Sequence, residues 1–202
     1  MLSIQIPTVI SRSHVFKPLL NEMKRQSEPF GEKIEIIHLL DEKELPLAEK
    51  RRRLYEMSSM PYSVQWDDDD WIHPLGIQLI MKALEEKPDC VTYRMISEFD
   101  GIPQLRQPGH LHITDFRRRY KKRAVNVAGF DVVHPPCNKN VIKTDLAIQA
   151  SNALPQTQRF GEDGDFGMEV VDLLKKEIYI DKHIYWYLNL SGDEWGSFRY
   201  GL

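Results

Sequence analysis

The sequence is poor in cysteine, lacks long apolar runs and carries no strong excess of either charge. Its 202 residues include two cysteines, Cys90 and Cys137, in no CxxC pair, so neither a zinc knuckle nor a disulfide framework is predicted. We expect reduced structural thiols in a cytoplasmic protein. No segment reaches the roughly 18 apolar residues of a membrane span, so no transmembrane segment is expected. A net charge of -3 excludes a uniformly basic coat protein but permits a local basic patch.

Glycine is missing from the loop that follows the first predicted strand. The segment "PTVISRSH" (7–14) contains none, whereas loops that cradle phosphates with backbone N–H groups are rich in glycine. A metal-dependent nucleotidyltransferase or phosphohydrolase would usually have such a loop early in the chain. Its absence weighs against these two classes of enzyme without excluding them.

Regularly spaced apolar residues predict alternating strands and helices in the first half of the chain. The βαβαβαβ order predicts a parallel sheet with helices on both faces, joined by right-handed crossovers in one α/β domain. Residues 1–96 form this half, and residues 97–202 form the second half of the same domain. The predicted strands are 2–6, 33–40, 62–66 and 89–96, and the predicted helices are 15–26, 47–59 and 76–87.

The second half has a less regular pattern. We expect a turn region at 100–109, and a loop or short strand followed by a helix within 134–147. A loop opens a further helix within 159–176. The aromatic and β-branched residues of 177–190 predict a pair of strands, and the residues after 190 predict a loop.

Four aspartates in a row follow the third predicted strand, in "VQWDDDDWIHP" (64–74). Adjacent carboxylates raise one another's pKa unless a cation or hydrogen-bond donors relieve the field. In an extended segment Asp67 and Asp69 face one site while Asp68 faces away, and Asp70 approaches if the chain turns. Mg²⁺ and Mn²⁺ prefer such oxygen ligands together with substrate phosphates. The alternative is a solvated acidic turn that caps the following helix.

Ligands of parallel sheets bind at the carboxyl ends of the strands, where the acidic cluster, "PTVISR" and Asp41 are expected to converge. A second acidic set lies in "GEDGDFG", with Glu162, Asp163 and Asp165 ahead of an apolar helix. These carboxylates could cap that helix, or one of them could act as a general base toward a hydroxyl. Two separate carboxylate sets, one for a metal-bound diphosphate and one for a base, suit an inverting group transfer.

Basic residues occur in two groups. Lys50 and Arg53 lie three positions apart on the second predicted helix, hence on one face, where they could bind a nucleotide or form a solvated surface. The segment "FRRRYKKR" (116–123), with Arg117, Arg118 and Arg119, could be a solvated surface or a site for a polyanion.

The order of these motifs resembles that of family 2 glycosyltransferases with the GT-A fold. The residues that carry the resemblance are "IQIPT", Asp41, "EKRRRLYEMSSMPYSVQWDDDDWIHP", and "FGEDGDFGMEVVDLL" followed by "IYWYLNLSGDEW". It covers nearly the whole chain and is most specific over 47–75 and 159–191. The resemblance implies a compact soluble transferase with a mixed, mainly parallel sheet, and a DXD-type acidic motif that binds Mn²⁺ or Mg²⁺.

The same resemblance implies roles for individual residues in transfer from a nucleotide sugar, most simply a UDP-sugar. Asp163 would be the general base, with Glu162 beside it at the acceptor, and Trp71 with the basic run would lie on the acceptor side. The residues expected to hold the nucleotide sugar are Pro7, Thr8, Asp41, Lys50, Arg53 and Asp67. The residues expected at the metal are Asp69, Asp67 and Asp70, and His183 is a further candidate.

The sequence does not identify the acceptor of the sugar. A cell-surface glycan precursor, a lipid-linked precursor and DNA with hydroxylated bases would each suit a basic acceptor site. Besides a transferase, two other classes stay open: the nucleotidyltransferase or phosphohydrolase, and an inactive module that binds sugar nucleotides.

Overall fold

The computed structural model describes residues 1–99 and 111–189, in which ten strands form one mixed sheet flanked by five α-helices. The strands are β1 (Leu2–Val9), β2 (Ile34–Asp41), β3 (Tyr62–Gln65), β4 (Trp71–Ile72), β5 (Cys90–Phe99), β6 (His112–Phe116), β7 (Ala124–Val127), β8 (Phe130–His134), β9 (Val141–Lys143) and β10 (Glu177–Asn189). The helices are α1 (Ser13–Ser27), α2 (Leu47–Met57), α3 (Gly76–Leu84), α4 (Thr144–Asn152) and α5 (Glu162–Val170).

The longest ladders of the sheet are parallel. Strand β1 pairs in parallel with β2 on one side and with β3 on the other, and β10 runs parallel to β5 along nearly its whole length. Strand β9 lies antiparallel between β3 and β5. Beyond β5, β6 is antiparallel to β5, β8 is parallel to β6, and β7 is antiparallel to β8. Because β1, β2 and β3 run in the same direction, their carboxyl ends meet at one edge, as the sequence predicts.

The two faces of the sheet carry different cores. Leu2, Ile4 and Ile6 of β1 are fully buried with apolar residues of α1 and α3. On the other face Tyr55 of α2 stacks on Phe166 of α5, with ring centroids 5.7 Å apart, in a cluster completed by α4. Helices on both faces confirm the predicted mainly parallel α/β fold.

Strands β1 and β10 both differ from the sequence prediction. Strand β1 continues through Pro7 to Val9, where only β2 still pairs with it, because β3 has ended opposite Gln5. A proline is tolerated there since one side of the strand has no ladder left to break. The expected strand pair at 177–190 is one long strand, β10, with register shifts around His183.

The predicted turn region at 100–109 and the predicted terminal loop lie outside the described residues. Within 1–99 and 111–189, no helix combines the length and the apolar character that crossing a bilayer requires.

Candidate functional site

A cleft of about 590 Å³ opens where the carboxyl ends of β1 and β3 meet the first turn of α5. Its volume falls within the roughly 300–1,000 Å³ of small-molecule sites. Six basic and five acidic side chains line it, so an anionic ligand would meet positive charge on several sides. The basic residues are Arg12, Lys43, Lys50, Arg51, Lys139 and Arg159, and the acidic ones are Asp67, Asp68, Asp69, Glu162 and Asp163.

The four aspartates lie along a turn of the chain, and their side chains point in different directions. Residues 68–69 form a turn instead of extending β3. Asp68 accepts hydrogen bonds from the Thr8 hydroxyl at 2.6 Å and from the Arg12 guanidinium at 3.0 Å, and Arg12 reaches Asp69 at 3.0 Å as well. Asp68 therefore lines the cleft, which corrects the expectation from strand alternation that it faces away.

Asp70 is turned into the core. It is fully buried, and its carboxylate accepts hydrogen bonds from the Tyr185 hydroxyl and, at 2.7 Å, from the Leu188 N–H. Burial, together with Asp69 and Asp67, raises the pKa of Asp70 well above its usual value. Asp70 therefore joins the acidic loop to β10 and does not line the cleft, which corrects its expected place among the metal ligands.

Asp67 is held between two buried cations. One carboxylate oxygen accepts a hydrogen bond from Arg51 at 2.7 Å, and the other pairs with Lys139. Arg51 also donates to Glu162 at 3.0 Å. Although burial opposes ionisation, Lys139 and Arg51 hold the pKa of Asp67 well below its usual value. The network fixes α2, the acidic loop, the loop before β9 and the start of α5 relative to one another.

The negative charge of Asp69 has fewer cationic partners than that of Asp67. It is 8% exposed and lines the cleft, with Arg12 as its ion-pair partner. Burial raises the pKa of Asp69 to about 7, and Asp68 and Asp67 add to the rise against the pull of Arg12. An added cation at this position would therefore favour the ionised carboxylate.

A second part of the cleft, joined to the acidic turn through Thr8, is organised around Lys50. Its ammonium group donates to the Thr8 carbonyl at 2.8 Å and pairs with Asp41 at the end of β2. Asp41 also accepts backbone hydrogen bonds from Lys43 at 3.2 Å and Leu45 at 3.0 Å. Asp41 thus positions Lys50 and the loop after β2, both of which line the cleft, without lining it itself.

The first turn of α5 carries three carboxylates, of which Glu162 and Asp163 line the cleft. The helix begins after Gly161, whose φ of 75° lies in the left-handed region that favours glycine. Glu162 is 5% exposed and bound to Arg51, whereas Asp163 is partly exposed to the cleft. Asp163 is therefore the carboxylate of this turn that a bound hydroxyl could reach.

No protein-family model matches the chain, and no curated protein does. Among solved structures it is similar to S. aureus TarS, at a TM-score of 0.65 and 15% identity over 93% of this chain and 36% of that one. TarS 1–349 in complex with UDP-GlcNAc aligns at a TM-score of 0.62 and 14% identity over 96% of this chain and 60% of that one. The fold is of the GT-A glycosyltransferase type.

Two further comparisons agree on the architecture. TarS 1–349 in complex with UDP aligns at a TM-score of 0.64 and 14% identity, over 93% of this chain and 60% of that one. The bifunctional IspDF from Campylobacter jejuni aligns at a TM-score of 0.50 and 10% identity, over 90% of this chain and 50% of that one. This chain thus spans 36% to 60% of the length of the TarS chains.

The GT-A fold brings seven of the predicted site residues to one cleft. Arg53 is an exception, because it lies on the exposed face of α2 and pairs with Glu49 at 2.7 Å, while its neighbour Arg51 lines the cleft. Trp71 in β4 pairs with Trp186 of β10 and does not line the cleft. The predicted residues that do line it are Pro7, Thr8, Lys50, Asp67, Asp69, Glu162 and Asp163.

The basic run lies outside the cleft and is largely engaged within the domain. The Arg117 guanidinium stacks on the Tyr179 ring, and the Arg118 guanidinium donates to the Leu174 carbonyl. Arg119 is 60% exposed and donates to the Tyr120 hydroxyl at 2.6 Å. The structure therefore does not bring the three arginines to the cleft.

A divalent cation fits this cleft only with ligands from a bound phosphate. Among residues 1–99 and 111–189, no group of three or more His, Cys, Asp and Glu side chains is placed to hold a metal ion. Mg²⁺ and Mn²⁺ are usually held by one or two carboxylates plus phosphate oxygens, and Asp69 with Asp67 could supply the carboxylates. His183 does not line the cleft.

Sequence reasoning assigned no role to several residues that shape the cleft. Arg12 was visible in "PTVISR" at a strand end, and that position was its only signal. Arg51 differs from Arg53 only in the direction it takes from the helix. Lys139 and Arg159 lie in loops with no distinguishing pattern, and Tyr187 reads as an ordinary strand residue.

Proposed function

We propose that the chain is a nucleotide-sugar-dependent glycosyltransferase whose donor is a UDP-sugar. One observation supports this most: a single cleft of a GT-A fold combines a cluster of cations suited to a diphosphate with a carboxylate, Asp163, open to a hydroxyl. The similarity to TarS bound to UDP and UDP-GlcNAc supports the donor class.

The two ends of the cleft would bind different parts of the donor. We place the nucleoside near Pro7, Thr8 and Lys50, with Lys50 oriented by Asp41. The diphosphate would lie at the acidic turn, where Arg12 is 45% exposed and can turn toward a phosphate. A Mn²⁺ or Mg²⁺ ion at Asp69 and Asp67, when bound, would supply positive charge to the leaving diphosphate.

The proposed reaction is a single displacement that inverts the anomeric carbon. The acceptor oxygen forms a bond to that carbon as the bond to the diphosphate oxygen breaks, and UDP leaves with the electron pair. Asp163 takes the proton of the acceptor hydroxyl. Glu162, bound to Arg51 at 3.0 Å, would hold Arg51 and Asp67 in place beside the donor.

Titration calorimetry with UDP, UDP-glucose and UDP-GlcNAc, with and without MnCl₂, tests the donor assignment. We expect binding of UDP and of at least one UDP-sugar, strengthened by Mn²⁺. Binding of nucleoside triphosphates with release of pyrophosphate would instead indicate a nucleotidyltransferase. Binding of UDP-sugars without hydrolysis or transfer in any condition would indicate an inactive binding module.

Two carboxylate variants test the assigned roles. Asp163→Asn should abolish sugar transfer, or the slow hydrolysis of the donor that is measured in its place. The Kd of UDP should stay within about twofold, because the residue acts on the acceptor proton. Asp69→Asn should remove the Mn²⁺ dependence of UDP binding. If Asp69→Asn retains that dependence, the metal-ligand assignment is wrong.

A further inference from the structure

Phe160 is unusually exposed for an aromatic residue in a cleft. It is 89% exposed, whereas the next most exposed large apolar side chain among the described residues, Leu75, is 53% exposed. Phe160 lines the cleft immediately before the turn that carries Glu162 and Asp163. The folded chain therefore forgoes most of the stabilisation that burial of this side chain would contribute.

The backbone beneath Phe160 is held by contacts on both sides. The Gln158 side-chain amide donates to the Phe160 carbonyl at 3.1 Å and to Asp165 at 2.6 Å, which links the loop to α5. The Gln158 carbonyl accepts from the Ala48 N–H at 3.2 Å, which links the loop to α2. Gly161 follows in the left-handed conformation. These contacts therefore hold the turn that places the Phe160 ring at the cleft.

We propose that Phe160 is the platform on which a pyranose ring of the acceptor stacks; this inference rests on the proposed function. One face of a pyranose carries mainly C–H groups, which pack on an aromatic ring while the hydroxyls stay in water. Asp163 follows three residues later, so its Cα lies at most about 11 Å from that of Phe160. A sugar on Phe160 can therefore present a hydroxyl toward the proposed base.

The alternative occupant of Phe160 is the nucleobase of the donor. Arg159 donates to the Lys43 carbonyl at 3.3 Å, so this turn also borders the loop after β2 near the nucleoside end. One observation favours the acceptor: Phe160 immediately precedes the turn that carries Glu162 and Asp163, the residues assigned to acceptor activation, and lines the same cleft.

Saturation-transfer NMR on the whole chain with UDP and MnCl₂ present tests the proposal. The probes are methyl β-D-glucopyranoside, methyl β-D-galactopyranoside and methyl N-acetyl-β-D-glucosaminide. We expect at least one probe to receive saturation mainly on the protons of one ring face. Phe160→Ala should lower that signal at least fivefold, and Phe160→Trp should retain it. Met168→Ala, a change at an apolar residue of α5 that is 46% exposed, is the matched control.

The Kd of UDP, measured on the same variants, separates the rival outcomes. An unchanged Kd for Phe160→Ala with loss of the glycoside signal supports the acceptor platform. A Kd raised tenfold with the glycoside signal intact would assign Phe160 to the nucleobase. No saturation of any glycoside by wild-type protein that binds UDP would overturn the platform alone. Failure of wild-type protein to bind UDP would overturn the proposed function itself.

Discussion

Arg12 contacts two carboxylates of the acidic turn at once, Asp68 and Asp69, each at 3.0 Å. Arg12→Ala would leave both carboxylates without this partner, so we expect a loss of about 1–2 kcal/mol in the free energy of unfolding without metal. The same carboxylates should bind Mn²⁺ more tightly, by about tenfold, or about 1.4 kcal/mol. Urea unfolding of the protein alone and calorimetric titration of the UDP-saturated protein with MnCl₂ measure the two effects.

Arg53→Ala is the control for this prediction, because Arg53 is 48% exposed and pairs with Glu49 on the outer face of α2. Arg53→Ala should leave the free energy of unfolding and the Mn²⁺ affinity nearly unchanged. Lower stability of Arg12→Ala with an unchanged Mn²⁺ affinity would show that Arg12 stabilises the turn but does not occupy the position of a metal ion.

Asp89 gives a pH-dependent prediction away from the cleft. Burial raises the pKa of Asp89, but hydrogen bonds from the Lys143 side chain and from the Lys176 and Lys175 N–H groups outweigh it and lower the pKa to about 2. A carboxyl group whose pKa is lowered by folding stabilises the fold at a pH above its pKa in the unfolded chain, which is about 4. This contribution disappears as the pH falls through about 2. Asp89→Asn should therefore cost about 1–2 kcal/mol at pH 7 and progressively less toward pH 2, as measured by urea unfolding.

At the scale of the element, α5 carries its carboxylates to the cleft through a close contact at Gly167. A Cβ at this position would lie 3.2 Å from Pro135 Cγ and 3.2 Å from the Pro136 carbonyl oxygen, so Gly167→Ala should push the helix away. We expect the rate of transfer or donor hydrolysis to fall about tenfold through displacement of Asp163, with little change in the Kd of UDP.

Gly164 is the matched control on the same helix. A Cβ at Gly164 meets nothing within 4 Å and its φ is not positive, so Gly164→Ala should raise the melting temperature and leave the rate nearly unchanged. Equal rates for Gly167→Ala and wild type would show that the close packing of α5 does not control the position of Asp163.

At the scale of the whole molecule, Arg51 connects segments from both halves of the chain. It is buried between Asp67, at the end of β3, and Glu162, at the start of α5. Arg51→Met keeps the side-chain length but removes the buried cation that pairs with Glu162 and leaves Asp67 with Lys139 alone, so we expect a loss of about 3–5 kcal/mol in the free energy of unfolding. Glu162→Gln should cost less, because the amide oxygen can still accept from Arg51.

Urea unfolding with and without UDP measures this prediction. The stability added by UDP should also fall in Arg51→Met, because Asp67 loses one of its two fixing partners at the donor site. A change within about 0.5 kcal/mol, as is typical of surface substitutions, would contradict the bridging role of Arg51.

The sequence by itself determined the order of the strands and helices in the first half of the chain, apart from the two-residue strand β4, and the edge of the sheet where the cleft lies. Both depend on local information: the spacing of apolar residues predicts each element, and parallel βα units bring strand ends together. Pro7, Thr8, Lys50 and the acidic turn were therefore located before any contact was known. Glu162, Asp163 and Asp165 were placed in the same way, since acidic residues just before an apolar helix predict its first turn, and the resemblance to family 2 glycosyltransferases singled out Asp163 among them.

Only the tertiary structure decided which side chains reach the cleft. The alternation rule failed at Asp68 because the chain turns there, and Asp70 is buried because β10 supplies donors from more than a hundred residues away. Local spacing also could not choose Arg51 over Arg53, since that choice depends on Glu162 across the domain. Side-chain direction in loops, and pairing between distant segments, are set by long-range contacts that leave no periodic pattern in the sequence.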